Sequence, residues 1–442
     1  MTVETMPAVR ERVWTSDLAA HVGERVRVQG WLHARRRLGG ITFLVVRDGY
    51  GLAQVVAQSE AALATLEGCQ VESVVAVEGT VAAEPQAPGG VELHEPTITV
   101  LVPVTEALPL SLNKPTLKVG LQAQLDHGVL AARHPRQRSL FRLGSGAMRA
   151  FRETLTAEGF TEIKTPKLVQ SATESGANVF KLDYFGRPAY LAQSPQFYKQ
   201  IMTGVYERVF EVAPVFRAEP HDTTRHLSEY VSLDVEMAFI EDHRTVMALL
   251  TRVMRSILAA LVERHANDLA RLDVVLPSAP EVFPSIYFPE AQELIYQRHG
   301  VDVRGEPDLS PQDERWLGEW ARQEFGSDFL FVTGYPMSKR PFYTHPNPAD
   351  PGFSNSFDLL FRGTELVTGG QRLHLYADYL AALDRAGLPY EPFAWYLEAF
   401  KYGMAPHGGF AIGLERLVTQ LTGVGNVRLA ALFPRDMNRL AP

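Results

Sequence analysis

Cysteine occurs once in the 442 residues, at Cys69. A disulfide within the chain is therefore impossible, and a zinc site built from cysteine thiolates is disfavoured. One thiol fits a reducing, cytosolic setting. The first residues, Met-Thr-Val-Glu-Thr, carry no apolar signal segment, and no apolar run reads as long enough to span a bilayer. An excess of positive charge is also missing. The formal net charge is -8, so the chain is a poor generic nucleic-acid binder and only a local basic face could serve. Two stretches offer one, Arg35 to Arg37 and Arg133 to Arg142 with Arg136 and Arg138, although a solvated loop or helix face explains either equally well. Neither a Gly-x-x-x-x-Gly-Lys-Ser/Thr loop nor a Gly-x-Gly-x-x-Gly fingerprint occurs, so the two commonest phosphate-binding turns are excluded.

What is present is ordinary globular material: 46 % hydrophobic and 21 % charged residues. The length exceeds what one core usually supports, so two or more domains are expected. Residues 23–104 read as short strands: Arg25 to Trp31, Ile41 to Arg47, Leu52 to Ala57, Val71 to Val81 and Val91 to Val100. Asp48-Gly49-Tyr50-Gly51 is a turn, and an Ala- and Leu-rich helix is expected near Ser59 to Glu67. Five such strands suit a small closed barrel of the oligonucleotide-binding type. On it, Phe43 could stack on an unpaired base, Gln54 could bond a base edge, and Arg35 to Arg37 could meet phosphates. Phe43 fits the barrel core equally well. Residues 103–120 hold Pro103, Pro109 and Pro115, and a boundary is placed near 105. The expected division is a barrel domain over 1–105, a hinge over 106–130 and a second domain over 131–442.

The second domain shows helical pattern over 121–158, a helix end at Gly159, and a short strand from Phe160 to Pro166. A polar loop, Gln170 to Ala177, follows. A helix start is expected at Pro195, which puts Gln196 and Lys199 on one face. Arg208 to Glu219 reads as a strand, Pro220 to His226 as its loop, and Leu233 to Phe239 as the return strand carrying Asp234 and Glu236. Such charge on a sheet face is costly if buried without partners, although a salt-bridge ladder would also explain it. Further strands are expected at 328–333, 356–361 and 365–368, with helices over 241–270 and 373–384. Met404 to Val418 is a glycine-rich strand that passes into a helix near Leu414. No parallel β-α-β rhythm is visible, so the fold class is α+β: a barrel plus an antiparallel sheet with helices.

Three arginines each stand beside a carboxylate: Arg217 near Glu219, Arg372 after Glu365, and Arg416 after Glu415. Together they suggest a pocket for a polyanion and a metal, which points to ATP. Arg217 and Arg416 could clamp the two ends of a triphosphate. Glu365, with Thr368 or Asp358, could hold Mg²⁺. Lys199 and Arg372 would then suit a substrate bearing a carboxylate side chain. Glu174 and Asp234 could meet its ammonium group, so the small molecule is aspartate or glutamate. His226 and His407 read as wall or loop residues, with satisfied or surface histidines as the bland alternative.

These phrases resemble the class II aminoacyl-tRNA synthetases of the aspartate, asparagine and lysine subgroup over nearly the whole chain. Gly159 to Pro166 resembles the first motif of that class, Phe216-Arg-Ala-Glu219 through Glu236 the second, and Gly413-Leu-Glu-Arg416 the third. The tail Leu432 to Leu440 is also similar. The resemblance implies a cytoplasmic homodimer with an anticodon-binding barrel and a catalytic sheet that forms aminoacyl-adenylate and charges tRNA. It implies Arg217 on the α-phosphate and substrate carboxylate and Arg416 on the γ-phosphate. It puts Tyr230 at the adenine, with Glu219, Arg225, His226, Leu227, Glu365 and Gly413 around the ATP. Gln193 to Gln200 resembles the aspartate enzymes. In them Lys199 and Arg372 hold the side-chain carboxylate, and Glu174, Gln196 and Asp234 complete the aspartate site. Thr223 to Glu229 and Arg340 to Tyr343 resemble the compact archaeal-like form, and no room is left for the large bacterial insertion.

Compact aspartate enzymes charge tRNA(Asp) alone or also tRNA(Asn), whose anticodons G-U-C and G-U-U differ in one base. The resemblance links the relaxed type to His33 and to Pro85, with Pro88 close to the latter, and strict members carry tryptophan at the His33 place. The relaxed reading is favoured, with Arg36, Phe43 and Gln54 as further anticodon contacts; a strict enzyme is the alternative. A relaxed enzyme would need a tRNA-dependent amidotransferase to convert the mischarged product. Two rivals rank lower. An adenylate-forming asparagine synthetase paralogue would lose the barrel, and a non-enzymatic RNA-binding relative would lose one of Arg217, Glu365 or Arg416.

Overall fold

The computed structural model describes residues 12–170 and 178–442. Glu174 and most of the loop 170–177 therefore lie outside the described residues. The chain divides into two compact units, Met1–His134 and Pro135–Pro442. The segment expected as hinge contains two short helices, Leu121–Asp126 and Gly128–Ala131.

In the first unit β1 (Arg25–Leu38), β2 (Ile41–Arg47), β3 (Leu52–Ala57), β4 (Val74–Ala83) and β5 (Val91–Val102) close into a barrel of order β1-β2-β3-β5-β4. Alternation drives it: Val28, Leu32, Leu44, Val46, Val55, Val77 and Leu93 point inward and form one core. The helix α1 (Glu60–Thr65) starts where expected, because the Ser59 side chain accepts a hydrogen bond from the Ala62 amide at 3.2 Å. The first strand is longer than expected and carries Arg35 to Arg37 within its exposed end.

After α2 (Leu121–Asp126) and α3 (Gly128–Ala131), the second unit opens with α4 (Pro135–Ala157). The strand expected over 160–166 is only β6 (Thr161–Glu162). Strands β7 (Leu168–Val169), β8 (Lys181–Tyr184) and β9 (Arg187–Leu191) form a small sheet of order β7-β9-β8. Then come α5 (Gln196–Tyr206), β10 (Arg208–Phe216), β11 (Glu229–Ala238), α6 (His243–Arg264) and α7 (Ala266–Arg271). Next are β12 (Ser285–Tyr287), α8 (Phe288–His299), α9 (Pro311–Phe325) and β13 (Phe329–Thr333), followed by β14 (Pro346–Asn347), β15 (Asp350–Ser354), β16 (Ser356–Phe361) and β17 (Glu365–Gln371). Helices α10 (Tyr376–Ala386) and α11 (Ala394–Lys401), strand β18 (His407–Gly413) and helix α12 (Leu414–Thr422) complete it.

The main sheet has eight strands in the order β12-β13-β16-β17-β18-β11-β10-β6. Its six central strands are antiparallel, and the two edges pair in parallel. Apolar faces of α4, α6 and α12 pack with one another and with the sheet in one core, through Phe151, Leu250, Val253, Ile257 and Leu417 among others.

Two expectations need correction. Strand β10 stops at Phe216, so Arg217 and Glu219 lie past its end rather than on its face. The backbone still turns in register, with the Arg217 amide donating to Ser228 O at 2.9 Å. Helix α6 is 22 residues long, and by length and composition it could cross a membrane, contrary to the sequence reading. Its apolar residues are instead core: Val246, Leu249, Leu250, Val253, Met254 and Ile257 are buried.

Candidate active site and nucleic-acid interface

The β10–β11 hairpin, the β16–β17 pair and β18 meet at the centre of the main sheet, and a cavity of about 660 Å³ opens there. Gln196, Lys199, Arg217, Glu219, Arg225, His226, Leu227, Tyr230, Glu365, Thr368, Arg372, Gly413 and Arg416 all line it. Residues from five elements and their loops thus converge, although they span more than two hundred positions of sequence. Asp234 is not on the wall but directly behind it.

The floor is a buried charge cluster. Lys199 Nζ donates to Asp234 Oδ1 at 2.9 Å and stands 3.5 Å from Glu236 Oε2. Arg372 Nε donates to Glu236 Oε1 at 2.9 Å, and its Nη2 donates to Gly409 O at 3.1 Å. Burial pushes the Glu236 carboxyl up, but Arg372 and Lys199 outweigh it and hold it below its ordinary range. Burial lowers Arg372, Glu236 outweighs that effect, and the guanidinium is held above its usual value. Glu236 reaches this place because residue 409 has no side chain: a Cβ there would lie 2.2 Å from Glu236 Oε2 and 2.0 Å from Val235 O. Gln196 Nε2 is buried at the same wall without a hydrogen-bond partner among the described residues, a costly state that a bound acceptor would relieve.

Behind the floor Gln200 Oε1 accepts from Tyr396 at 2.6 Å and Tyr379 at 3.1 Å, and lies 3.3 Å from His407 Nε2. Burial drives His407 down to about 4. It is a neutral support for α5, so of the two readings of this histidine the satisfied buried one holds and the wall or loop one does not. His226 lines the mouth; burial is the main cause that lowers its pKa, and its Nδ1 lies 2.6 Å from the Thr223 hydroxyl.

Toward the mouth, the Arg217 guanidinium sits 5.8 Å from the Tyr230 ring centre. Arg416 lies in the first turn of α12, where free amides also favour an anion, and its Nη1 donates to Glu365 O at 3.3 Å. Its neighbour Glu415 turns inward and accepts from the Val231 amide at 3.1 Å; burial raises its pKa to about 7.

An acidic corner lies at Glu365 on the wall, with Asp358 and Glu314 behind it. The Thr368 hydroxyl donates to Glu365 Oε1 at 3.1 Å, and Arg340 Nη2 donates to Asp358 Oδ1 at 3.0 Å. Burial and then Glu365 raise Glu314 to about 7. Burial raises Asp358 to about 6, with Arg340 opposing and Glu365 adding to it. Among the described residues no three His, Cys, Asp or Glu side chains form a complete metal cage. Mg²⁺ needs none, since it binds through one or two carboxylates plus phosphates and water. Hard oxygen donors under mutual repulsion fit that ion.

The barrel carries the second set. Arg36 pairs with Phe43 and Val45 with Gln54, so these side chains share the outer face of β1–β3. Phe43 is half-buried there while its neighbours Thr42 and Leu44 are buried, which removes the alternative of a core phenylalanine. Glu92 Oε2 accepts from Gln54 Nε2 at 2.7 Å. Arg35 donates to Leu66 O at 2.8 Å, and all three arginines of the run are exposed. His33 is 8 % exposed, and Pro85 is exposed in the turn before β5. In the other basic stretch Arg133 contacts Glu72 and Arg136 contacts Asp273, so both serve structure.

Glu236 is the residue that sequence reasoning placed on the right face without giving it a role. Its signal was the Asp234-x-Glu236 spacing on one strand. Arg340, Tyr343 and Glu415 also line the cavity. Their positions come from loops and a helix start, for which strand pattern gives no cue.

Comparison with known proteins agrees with this layout. The family described as tRNA synthetases class II (D, K and N) matches residues 120–437, and an OB-fold nucleic acid binding domain matches residues 26–101. The chain is 46 % identical over 442 residues to an aspartate–tRNA(Asp/Asn) ligase of Deinococcus radiodurans, covering 99 % of this chain and 100 % of that protein. It is 45 % identical over 431 residues to the ligase of the same name from Thermus thermophilus, covering 98 % and 100 %. Among solved structures, an asparaginyl-tRNA synthetase of Pyrococcus horikoshii complexed with asparaginyl-adenylate superimposes with a TM-score of 0.92 at 32 % identity, covering 98 % of this chain and 100 % of that one. Barrel, sheet and cavity together place the chain in one family: it belongs to the class II tRNA synthetases of the D, K and N group.

Proposed function

We propose that this protein is an aspartate–tRNA ligase that activates L-aspartate with ATP and esterifies both tRNA(Asp) and tRNA(Asn). The observation that carries the choice of amino acid is the buried pair Lys199 and Arg372 at the cavity floor. Two cations beside one side-chain site favour a carboxylate over the neutral amide of asparagine and the cation of lysine. The names of the two relatives described above support the same reading, including the relaxed tRNA choice.

In the first step an α-carboxylate oxygen of aspartate attacks the α-phosphorus of ATP. An O–P bond forms, the bond to the β-phosphate oxygen breaks, and diphosphate leaves. Arg217 neutralises charge at the α-phosphate and orients the attacking carboxylate, while Arg416 holds the γ-phosphate. Tyr230, Gly413, Leu227, Arg225, His226 and Glu219 enclose the nucleotide. Gln196 and, outside the described residues, Glu174 serve aspartate, while Asp234 acts from behind the wall by holding Lys199. Glu365 and Thr368, with Asp358 beside them, would hold Mg²⁺, which when bound offsets phosphate charge. In the second step a hydroxyl of the terminal ribose attacks the adenylate carbonyl, and AMP leaves. No enzyme nucleophile is required. On the barrel, Arg36, Phe43 and Gln54 contact the anticodon bases that both tRNAs share, and His33 and Pro85 govern the base that differs. A homodimer working in the cytoplasm, with an amidotransferase that amidates aspartyl-tRNA(Asn), fits this function.

The test is aspartate-dependent exchange between diphosphate and ATP. Arg217→Ala should lower it by about 10²–10³-fold or more, the cost of removing one preorganised donor at developing charge. Wild-type exchange in that variant contradicts the phosphate assignment.

A further inference from the structure

His33 stands on an irregularity of β1: the pairing with β2 slips between Leu32 and Ala34, so His33 is the extra residue of a bulge. Bulges re-aim side chains, and this one sets His33 beside Arg47, which lies four residues from Phe43 on β2 and so shares the face that holds Arg36 and Phe43. Arg47 Nη1 lies 3.1 Å from His33 Nδ1. A guanidinium can only donate, so Nδ1 is the acceptor and the ring proton sits on Nε2. Arg47 is itself fixed. Glu72 grips it with both oxygens, Nη1 to Oε1 and Nη2 to Oε2, each at 2.7 Å, and the two side chains are buried. Glu72 adopts φ +68°, a conformation that a β-carbon makes costly. It is held there by the backbone beside the bulge, with Glu72 N donating to Leu32 O at 2.7 Å and Leu32 N to Ser73 O at 2.8 Å. Arg133 adds a second cation to Glu72 Oε2 at 3.3 Å.

We infer that Glu72 and Arg47 are positioning residues for tRNA choice, acting together as a clamp that fixes the tautomer and orientation of His33. A planar bidentate pair defines the Arg47 fork in two directions, which a lysine point charge cannot do. The bulge, the left-handed Glu72 and the buried fork converge on one imidazole. The inference rests on the proposal that the enzyme charges both tRNAs and that His33 takes part in the choice.

The experiment charges transcripts of tRNA(Asp) and tRNA(Asn) with labelled aspartate, using the full-length enzyme and its Glu72→Gln, Arg47→Lys, His33→Ala and Glu72→Gln/His33→Ala variants. Diphosphate exchange on each preparation gives the amount of active enzyme. The quantity read is the ratio of kcat/KM for the G-U-U transcript to that for the G-U-C transcript. Glu72→Gln and Arg47→Lys should each change this ratio by about fivefold or more, the scale of one base contact. The effect of Glu72→Gln should vanish when His33 is already alanine. Equal loss on both transcripts with no change of ratio overturns the inference and leaves a merely structural ion pair. A shift that persists undiminished in the His33→Ala background also overturns it. Where Glu72→Gln fails to fold, Arg47→Lys with an Arg47→Lys/His33→Ala double variant makes the same comparison. A ratio that moves in His33→Ala but not in the clamp variants rejects the clamp alone. Unmodified enzyme that charges only the G-U-C transcript rejects the relaxed reading, and the inference falls with it.

Discussion

The barrel face and the catalytic cavity use charge in opposite ways. On the barrel Arg36 and Arg37 are exposed, and the aromatic Phe43 is only half-covered. In the cavity floor Lys199, Arg372, Asp234 and Glu236 are all buried and already paired with one another. Exposed cations cost little to keep and contribute little when screened, which suits a surface that meets a long polyanion. Buried paired charges are expensive to assemble, but they hold direction, which suits discrimination between one small side chain and another. The lesson is that substitutions in the two regions should fail differently: cavity variants lose amino-acid activation, whereas barrel variants lose tRNA charging alone.

The largest effect expected from this contrast is at Glu236. Glu236→Gln leaves Arg372 and Lys199 without their shared counter-charge, a loss of about 3–5 kcal/mol for a broken buried pair. The KM for aspartate should rise by about 10²–10³-fold while that for ATP stays near its starting value. An equal rise in both would mean that the floor is general scaffolding. Next comes Phe43→Ala. Loss of one stacked base is worth about 1–3 kcal/mol, so the KM for tRNA should rise by about five- to 150-fold with diphosphate exchange retained. Exchange that collapses with charging would erase the distinction between the regions.

The smallest effect is a pH dependence. The folded pKa of Glu415 is about 7, against 4.5 for the free side chain. Between those values the folded protein keeps a proton that the unfolded chain has lost. Stability from this group is therefore full below about pH 4.5 and is lost as the pH rises through about 7. Glu415→Gln should flatten the fall of the melting temperature between those limits, by the equivalent of about 1–3 kcal/mol. An unchanged pH profile would place the carboxyl in a wetter setting than its burial implies.

Much of this layout was legible in the chain. Strands β2 and β3 and the start of α5 follow from alternation and from Pro195, and Gly413-Leu-Glu-Arg416 marks the passage from β18 to α12. Each of these signals is local. The pairing of Lys199 with Asp234 and of Arg372 with Glu236 joins positions 35 and 136 residues apart, and nothing in the spacing specifies it. The same holds for His33, which reads as one more residue of an alternating strand until the bulge against Val46 and Val45 takes it out of register. The end of β10 was overrun because Arg217 to Glu219 continue the strand-like pattern, and the Arg217 amide still bonds to Ser228 O one step beyond the last ladder pair. Helix α6 illustrates the reverse case, an apolar segment whose partners and not its composition make it a core helix.

The central claim is that one aspartate-specific cavity serves two tRNAs. Purified tRNA(Asp) and tRNA(Asn) charged separately with labelled aspartate by the unmodified enzyme test it most directly. The account predicts aspartyl-tRNA from both, and no asparaginyl product when labelled asparagine replaces aspartate. Label on tRNA(Asp) alone, or transfer of asparagine, would contradict it.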